Sequence, residues 1–157
     1  MKQLIISFIL ALTATVAVSA QSADKLYKEG KALYEKKNYT EAVPKLKAAA
    51  EKGKKGAQYR LARCYDKGNG VAENNAEAVK WYQKAAEQGH AKAQYQLGKA
   101  YMKGKKGLPA DQQKAKAWLT KAVKNDKDGS DILKKMRKEA KEGDEDAKQM
   151  LKLVGKS

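Results

Sequence analysis

Cysteine, histidine, proline and arginine are all scarce in this 157-residue chain: one Cys, one His, two Pro and three Arg. A single Cys excludes an internal disulfide framework and any zinc site built from several cysteines. A single His excludes multi-histidine metal sites. The length is that of about one domain, which excludes a large multidomain enzyme. Acidic residues are also outnumbered, 18 against 34 Lys and Arg, for a formal charge of +16. Nucleic-acid readers lean on Arg for base readout and concentrate their charge in a patch. Here the cations are almost all Lys, spread along the whole chain and often flanked by Glu, so nucleic acid is not expected as a partner. The Lys excess reads as the solvated face of a very soluble protein, or as attraction to an anionic surface or acidic partner.

Long apolar runs are absent beyond the first 20 residues. Met1-Lys2-Gln3 is a short positive segment, Leu4 to Val18 is an uncharged and mostly apolar run, and Val18-Ser19-Ala20 supplies small residues. A spanning helix needs about 20 apolar residues, and this run is shorter. The layout is that of a cleaved signal peptide, residues 1–20, cut between Ala20 and Gln21. No Cys stands at the cut, which excludes a lipoprotein. The mature chain, 21–157, is then expected to be exported to the periplasm or secreted, with contact to a membrane only through an uncleaved signal.

Large aliphatic residues are few as well. Leu, Ile, Val and Phe together number 16 in the 137 residues after position 20. Low apolar content with high charge is a disorder signature. Against it stand 22 Ala, eight Tyr and two Trp in that stretch, placed in register. Ala57-Gln58-Tyr59-Arg60-Leu61-Ala62-Arg63-Cys64-Tyr65 recurs 36 residues later as Ala93-Gln94-Tyr95-Gln96-Leu97-Gly98-Lys99-Ala100-Tyr101. Ala78-Val79-Lys80-Trp81-Tyr82-Gln83-Lys84-Ala85 recurs 37 residues later as Ala115 to Ala122, the extra residue falling between Gly104 and Gly107. Upstream, Glu41-Ala42-Val43, Leu46 and Ala49-Ala50-Glu51 match Glu77-Ala78-Val79, Tyr82 and Ala85-Ala86-Glu87. The mature chain is therefore a single tandem array with units 23–56, 57–92 and 93–129 and a diverged capping tail, 130–157.

Each unit carries two helical stripes. Ala57, Leu61, Ala62 and Tyr65 form one, and Ala78, Trp81, Tyr82 and Ala85 the other. Ala62, Gly98, Ala85 and Ala122 allow close approach of helices, with Tyr65, Tyr101, Trp81 and Trp118 filling the space beside them. Gly53, Gly89 and Gly143 stand where a helix ends in a left-handed residue. Thr40 reads as a helix cap, which would put Pro44 in a first turn where its missing N–H costs little. The tail offers Ile132, Leu133, Met136 and Ala140, then Ala147, Met150, Leu151 and Val154, with a polar outer face suited to a cap.

The pattern Ala-x3-Leu-Ala/Gly-x2-Tyr-x2-Gly-x-Gly-Val followed by Ala-x2-Trp-Tyr-x-Lys-Ala-Ala-x2-Gly resembles the Sel1-like repeat, a relative of the tetratricopeptide repeat. Residues 57–92 carry it through Tyr65, Gly68, Gly70, Val71, Trp81, Tyr82, Ala85, Ala86 and Gly89. Residues 93–129 carry it with one insertion and with Leu119 where Tyr is usual. Residues 24–56 are more similar to a plain tetratricopeptide unit, through Leu26, Gly30, Leu33, Tyr39, Ala42, Leu46 and Ala49. The tail departs from the pattern. The resemblance implies an all-α fold, a right-handed α/α superhelical solenoid of about three to four helix-turn-helix repeats, binding proteins or peptides and holding no cofactor. In the tetratricopeptide arrangement the first helix of each unit lines the concave side. Positions three before and one after Gly30, Ala62 and Gly98 then form a ladder of Tyr beside a cation: Tyr27 and Lys31, Tyr59 and Arg63, Tyr95 and Lys99. Tyr34, Asp66 and Met102 flank it one turn on. An acidic protein or peptide is the expected occupant, held by a monomer.

Catalytic and metal sites find no support in the sequence. His90 follows Gly89 in a turn between units and reads as solvent-exposed, with no Ser, Cys or Asp spaced to form a triad. Cys64 lies beside a core stripe and reads as a structural thiol, or else as an exposed redox partner. Glu142, Asp144, Glu145 and Asp146 lack calcium-loop spacing and suit a helix N-terminus. Gly104-Lys105-Lys106-Gly107 lacks the ending of a phosphate loop and reads as a repeat turn. Asn38-Tyr39-Thr40 is a formal glycosylation sequon, read here through Thr40 as a cap. The chain is thus expected to be a non-enzymatic interaction module or scaffold of the cell envelope. The alternative is a Lys-driven binder of anionic envelope polymer or membrane surface.

Overall fold

The computed structural model describes residues 21–156. The expected signal peptide lies outside them. Eight helices and no strand occur among the described residues: α1 (Ala23–Glu35), α2 (Tyr39–Glu51), α3 (Lys55–Lys67), α4 (Asn75–Glu87), α5 (Ala91–Lys103), α6 (Gln112–Val123), α7 (Gly129–Lys141) and α8 (Glu145–Leu153). Consecutive helices pair within each unit, and α2 packs on α3 and α4 on α5 to stack one unit on the next. The fold is an all-α solenoid. Among the described residues, no helix is long and apolar enough to cross a membrane.

Small residues in the first helix let the second approach. A Cβ added at Gly98 of α5 would lie 2.6 Å from Leu119 Cγ and 3.2 Å from its backbone N in α6. Gly30 meets Leu46 in the same way one end of the array earlier. The resulting core falls into two clusters. One runs from Leu26 to Leu97 and the other from Ala91 to Leu151, and α5 supplies residues to both. Helix α5, the first of the third unit, is therefore the shared wall between the core of the first two units and the core of the last two.

Units are also tied by a repeated side-chain bond. The Gln58 amide donates to the Ala50 carbonyl at 3.1 Å, and Gln94 donates to the Ala86 carbonyl at 3.0 Å. Each adds a second donor to a carbonyl in the last turn of the preceding helix, which also accepts from the backbone N–H of Gly53 or Gly89.

Gly53, Gly89 and Gly143 adopt φ of +87°, +76° and +95°, as their positions after helix ends require. Gly70 has a stricter reason to be glycine. Its φ is +71°, and a Cβ there would lie 2.6 Å from the Tyr39 carbonyl carbon and oxygen. Gly70→Ala combines left-handed strain with a backbone clash, so a loss of roughly 1–3 kcal/mol is expected. Chemical denaturation measures it, and an unchanged midpoint would show that this loop moves freely away from α2.

The start of α2 differs from expectation. Asn38, not Thr40, precedes the helix, and its side chain donates to Glu41 at 2.8 Å instead of capping the backbone. Thr40 is inside the helix, so Pro44 lies in the second turn. The missing Pro44 N–H leaves the Thr40 carbonyl without its helical donor. Both residues are exposed, and water can take the donor's place, which keeps the cost of this proline small.

Candidate functional site

The concave side is built by α3 and α5, whose parallel positions are 36 residues apart. Tyr59, Arg60 and Arg63 project from α3, and Lys92, Tyr95 and Gln96 from α5. They line a cavity of about 430 Å³. Tyr34 of α1 closes one side, and Asp131, Ile132 and Lys135 of α7 form the far wall. The fourth unit thus converts the open face of the third into a pocket.

Four cations and one carboxylate line this pocket. Arg60 donates to the Tyr27 hydroxyl at 2.8 Å and pairs with Glu35 at 3.5 Å. Lys92 and Lys135 lie 3.9 and 3.7 Å from Asp128 and Glu139. Arg63 has no ion pair among the described residues. It sits half-buried among Tyr34, Tyr59 and Tyr82. Burial opposes its charge, but the hydrogen bond with Tyr59 and the nearby tyrosines outweigh burial, and it holds its proton more tightly than an ordinary arginine. The ring of Tyr95 lies between two ammonium groups, Lys99 at 5.7 Å and Lys135 at 5.5 Å. Burial pushes the Tyr34, Tyr82 and Tyr95 phenols up, so all three stay neutral at ordinary pH. The pocket is a neutral aromatic floor under an excess of positive charge, suited to a carboxylate-bearing ligand.

Of the six ladder residues the pocket brings together Tyr59, Arg63 and Tyr95, and of the flanking three Tyr34. Tyr27 lies under Gly56, whose missing Cβ makes room for its ring. Lys31 pairs with Glu35 at 3.7 Å, outside the pocket. Lys99 borders an adjoining cavity of about 270 Å³ with Lys67, Gln96 and Lys103. Met102 is buried. Asp66 is buried as well, and binds the Tyr82 hydroxyl and the Lys106 ammonium. The pocket also contains Arg60, Lys92, Gln96, Asp131, Ile132 and Lys135, which the ladder omits. Arg60 and Gln96 stand at matching positions of the 36-residue repeat, a signal that was present in the sequence. The α7 wall follows no repeat template.

His90 is not an exposed turn residue. It caps α5, its Nδ1 accepting from the Ala93 N–H at 3.4 Å, and its ring stacks on Tyr59 with centroids 4.5 Å apart. Burial pulls it down to about 4. Cys64 is fully buried, and burial pushes its thiol up to about 11, so it is a structural thiol. Asp144 caps α8 through Ala147 at 2.8 Å, and Asp146 pairs with Lys103, as helix N-terminal carboxylates should. Gly104 to Gly107 is a turn in which Lys106 takes a φ of +61°. Among the described residues no group of His, Cys, Asp and Glu gathers in a way that could hold a metal ion.

Paired helices stacked by repeat-spaced contacts, with a concave pocket formed by their first helices, define an α-solenoid repeat protein. The particular repeat is the Sel1 repeat: residues 56–90 and 91–127 match that family, so the chain carries two Sel1 repeats. Among solved structures it is similar to a Sel1 repeat protein from Oxalobacter formigenes. Their identity is 28% and the TM-score 0.62, over 68% of this chain and 44% of that one. It is also similar to a protective antigen present in uropathogenic Escherichia coli strains that displays an SLR fold. There the identity is 29% and the TM-score 0.62, over 83% of this chain and 30% of that one. The chain spans less than half the length of either. No curated protein matches it. Sel1 repeats in general mediate protein–protein interaction, and the proteins that carry them are generally non-enzymatic scaffolds.

Proposed function

We propose that this protein is an exported, monomeric, non-catalytic interaction module that holds an acidic protein or peptide segment in the pocket between α3, α5 and α7. The observation that carries this reading is Arg63, a half-buried guanidinium among tyrosines with no carboxylate of its own. An incoming carboxylate would supply the missing counter-charge, and tyrosines give rigid contact area with polar tips. The test is a pull-down from envelope extract with the mature chain, followed by the triple change Lys31→Glu, Arg63→Glu and Lys99→Glu. Affinity for the recovered partner should fall at least tenfold, with most of the loss reproduced by Arg63→Glu alone in a variant that stays helical and monomeric. A triple variant that binds as tightly as the parent removes the pocket from consideration.

A second reading has its own observation. Lys134, Arg137, Lys138 and Lys141 share one exposed face of α7, with Glu142 at its end. That stripe suits an anionic polymer or membrane surface. Such binding should fall steeply between low and moderate salt, whereas aromatic pocket binding should fall much less.

Export itself is tested by the N-terminus of the protein from its native host. Sequencing or intact mass should show Gln21 first. Full-length chain recovered in the membrane fraction would overturn the cleaved signal.

A further inference from the structure

The two cavities on the concave side are parts of one trough. Both lie between α3 and α5, and both are lined by Gln96. On α3, Arg60, Arg63 and Lys67 recur at i, i+3 and i+7. On α5, Lys92, Gln96, Lys99 and Lys103 recur at i, i+4, i+7 and i+11. Residues so spaced share one helix face, and the two rows match across the 36-residue repeat. The trough therefore has a cationic row on each wall and runs parallel to the helices.

Its carboxylates are already engaged. Asp66 is held by Lys106 and Tyr82, Asp146 by Lys103, and Asp131 lies 4.0 Å from Lys134. Arg63, Lys67, Lys99 and Lys105 have no ion-pair partner among the described residues. Midway, the Gln96 amide makes no hydrogen bond among the described residues. An amide carries both a donor and an acceptor, which is what a peptide unit needs and a bare polyanion does not. The first rung of the sequence ladder, by contrast, is occupied: Tyr27 by Arg60 and Lys31 by Glu35.

From these placements we infer that the occupant is an extended acidic peptide lying along α5, in the valley between α3 and α5, and not a segment following the ladder from unit to unit. This rests on the pocket reading above and adds direction and length. Lys92 to Lys103 spans about 16 Å at 1.5 Å per residue. An extended chain covers that distance in about five residues.

Fluorescence anisotropy with fluorescein-labelled hexaglutamate and triglutamate at about 0.15 M salt tests it. Lys67→Glu with Lys105→Glu changes two exposed residues at the far end of the trough. These changes should weaken hexaglutamate at least tenfold and leave triglutamate, seated by Arg63, unchanged. Lys31→Glu should affect neither peptide. Lys47→Glu with Lys116→Glu, an equal change of net charge elsewhere, sets the baseline, and circular dichroism confirms folding. If Lys67→Glu with Lys105→Glu does no more than this control, or Lys31→Glu weakens hexaglutamate as much, the direction is wrong although the pocket stands. If Arg63→Glu binds both peptides as the parent does, the pocket reading fails. Inorganic polyphosphate bound with the same variant dependence, while hexaglutamate is not, would overturn the peptide as occupant.

Discussion

Trp81→Ala is expected to destabilise the protein by about 3–5 kcal/mol, the range for truncating a large buried aromatic. The ring is 5% exposed and belongs to the core cluster that joins α4 to Ala93 and Leu97 of the next unit. Its indole N–H donates to Glu77 at 3.1 Å, and the Lys84 ammonium lies 4.8 Å from its centroid. Truncation empties the space between two units, and each unit of a solenoid is stable only against its neighbours. A domain of this kind has about 5–15 kcal/mol in all, so the variant should lie near unfolding at room temperature. Trp118, at the matching position of the following unit, is only half-buried, so Trp118→Ala should cost less. Denaturant curves of the two variants measure the difference. A Trp81→Ala protein melting within a few degrees of the parent would show that the unit interface does not depend on this ring.

Regular features were legible in the sequence wherever one unit could be read against another. The close approach of helices at Gly98 follows from a small residue recurring at the repeat spacing, although that pattern does not name its partner there, Leu119. Arg63, Tyr59 and Tyr95 follow from the position of the first helix. What escaped depends on contacts between units that differ. Tyr27, Tyr59 and Tyr95 hold one position in the repeat. Tyr27 alone has Gly56 above its ring and Arg60 on its hydroxyl, so it leaves the ladder. The inserted Lys106 reaches Asp66 only because the turn takes a left-handed residue there. The α7 wall has no template in the other units, and Ile132 and Lys135 became part of the pocket only once the fourth unit was docked. Gln58 and Gln94 recur with the repeat, but the carbonyls they bind belong to the preceding unit and could not be assigned from spacing alone.

Acidification from pH 7 to pH 5 should cost the parent about 2 kcal/mol more than His90→Asn. Burial is the main force holding His90 near 4. The Lys92, Arg60 and Lys55 charges act in the same direction, and Asp128 opposes them. Two structural features agree with that sign. Nδ1 must be unprotonated to accept from the Ala93 N–H. A positive imidazolium at the N-terminus of α5 would also face the wrong end of the helix dipole. An unfolded histidine titrates near 6.5. Between about 6.5 and about 4 the unfolded chain therefore binds a proton that the folded chain does not. Stability is full above this window, falls as pH drops through it, and has lost about 3 kcal/mol at its lower end. Asparagine at position 90 keeps a capping side chain and removes the titration. Carboxylates held low by partners, such as Glu77 beside Lys80 and Asp146 beside Lys103, lose their contribution only at more acid pH, so pH 5 isolates the histidine. The check is the urea midpoint of both proteins at pH 7 and pH 5. Equal losses in parent and variant would mean that His90 takes up its proton in the folded state without leaving Tyr59 or the start of α5.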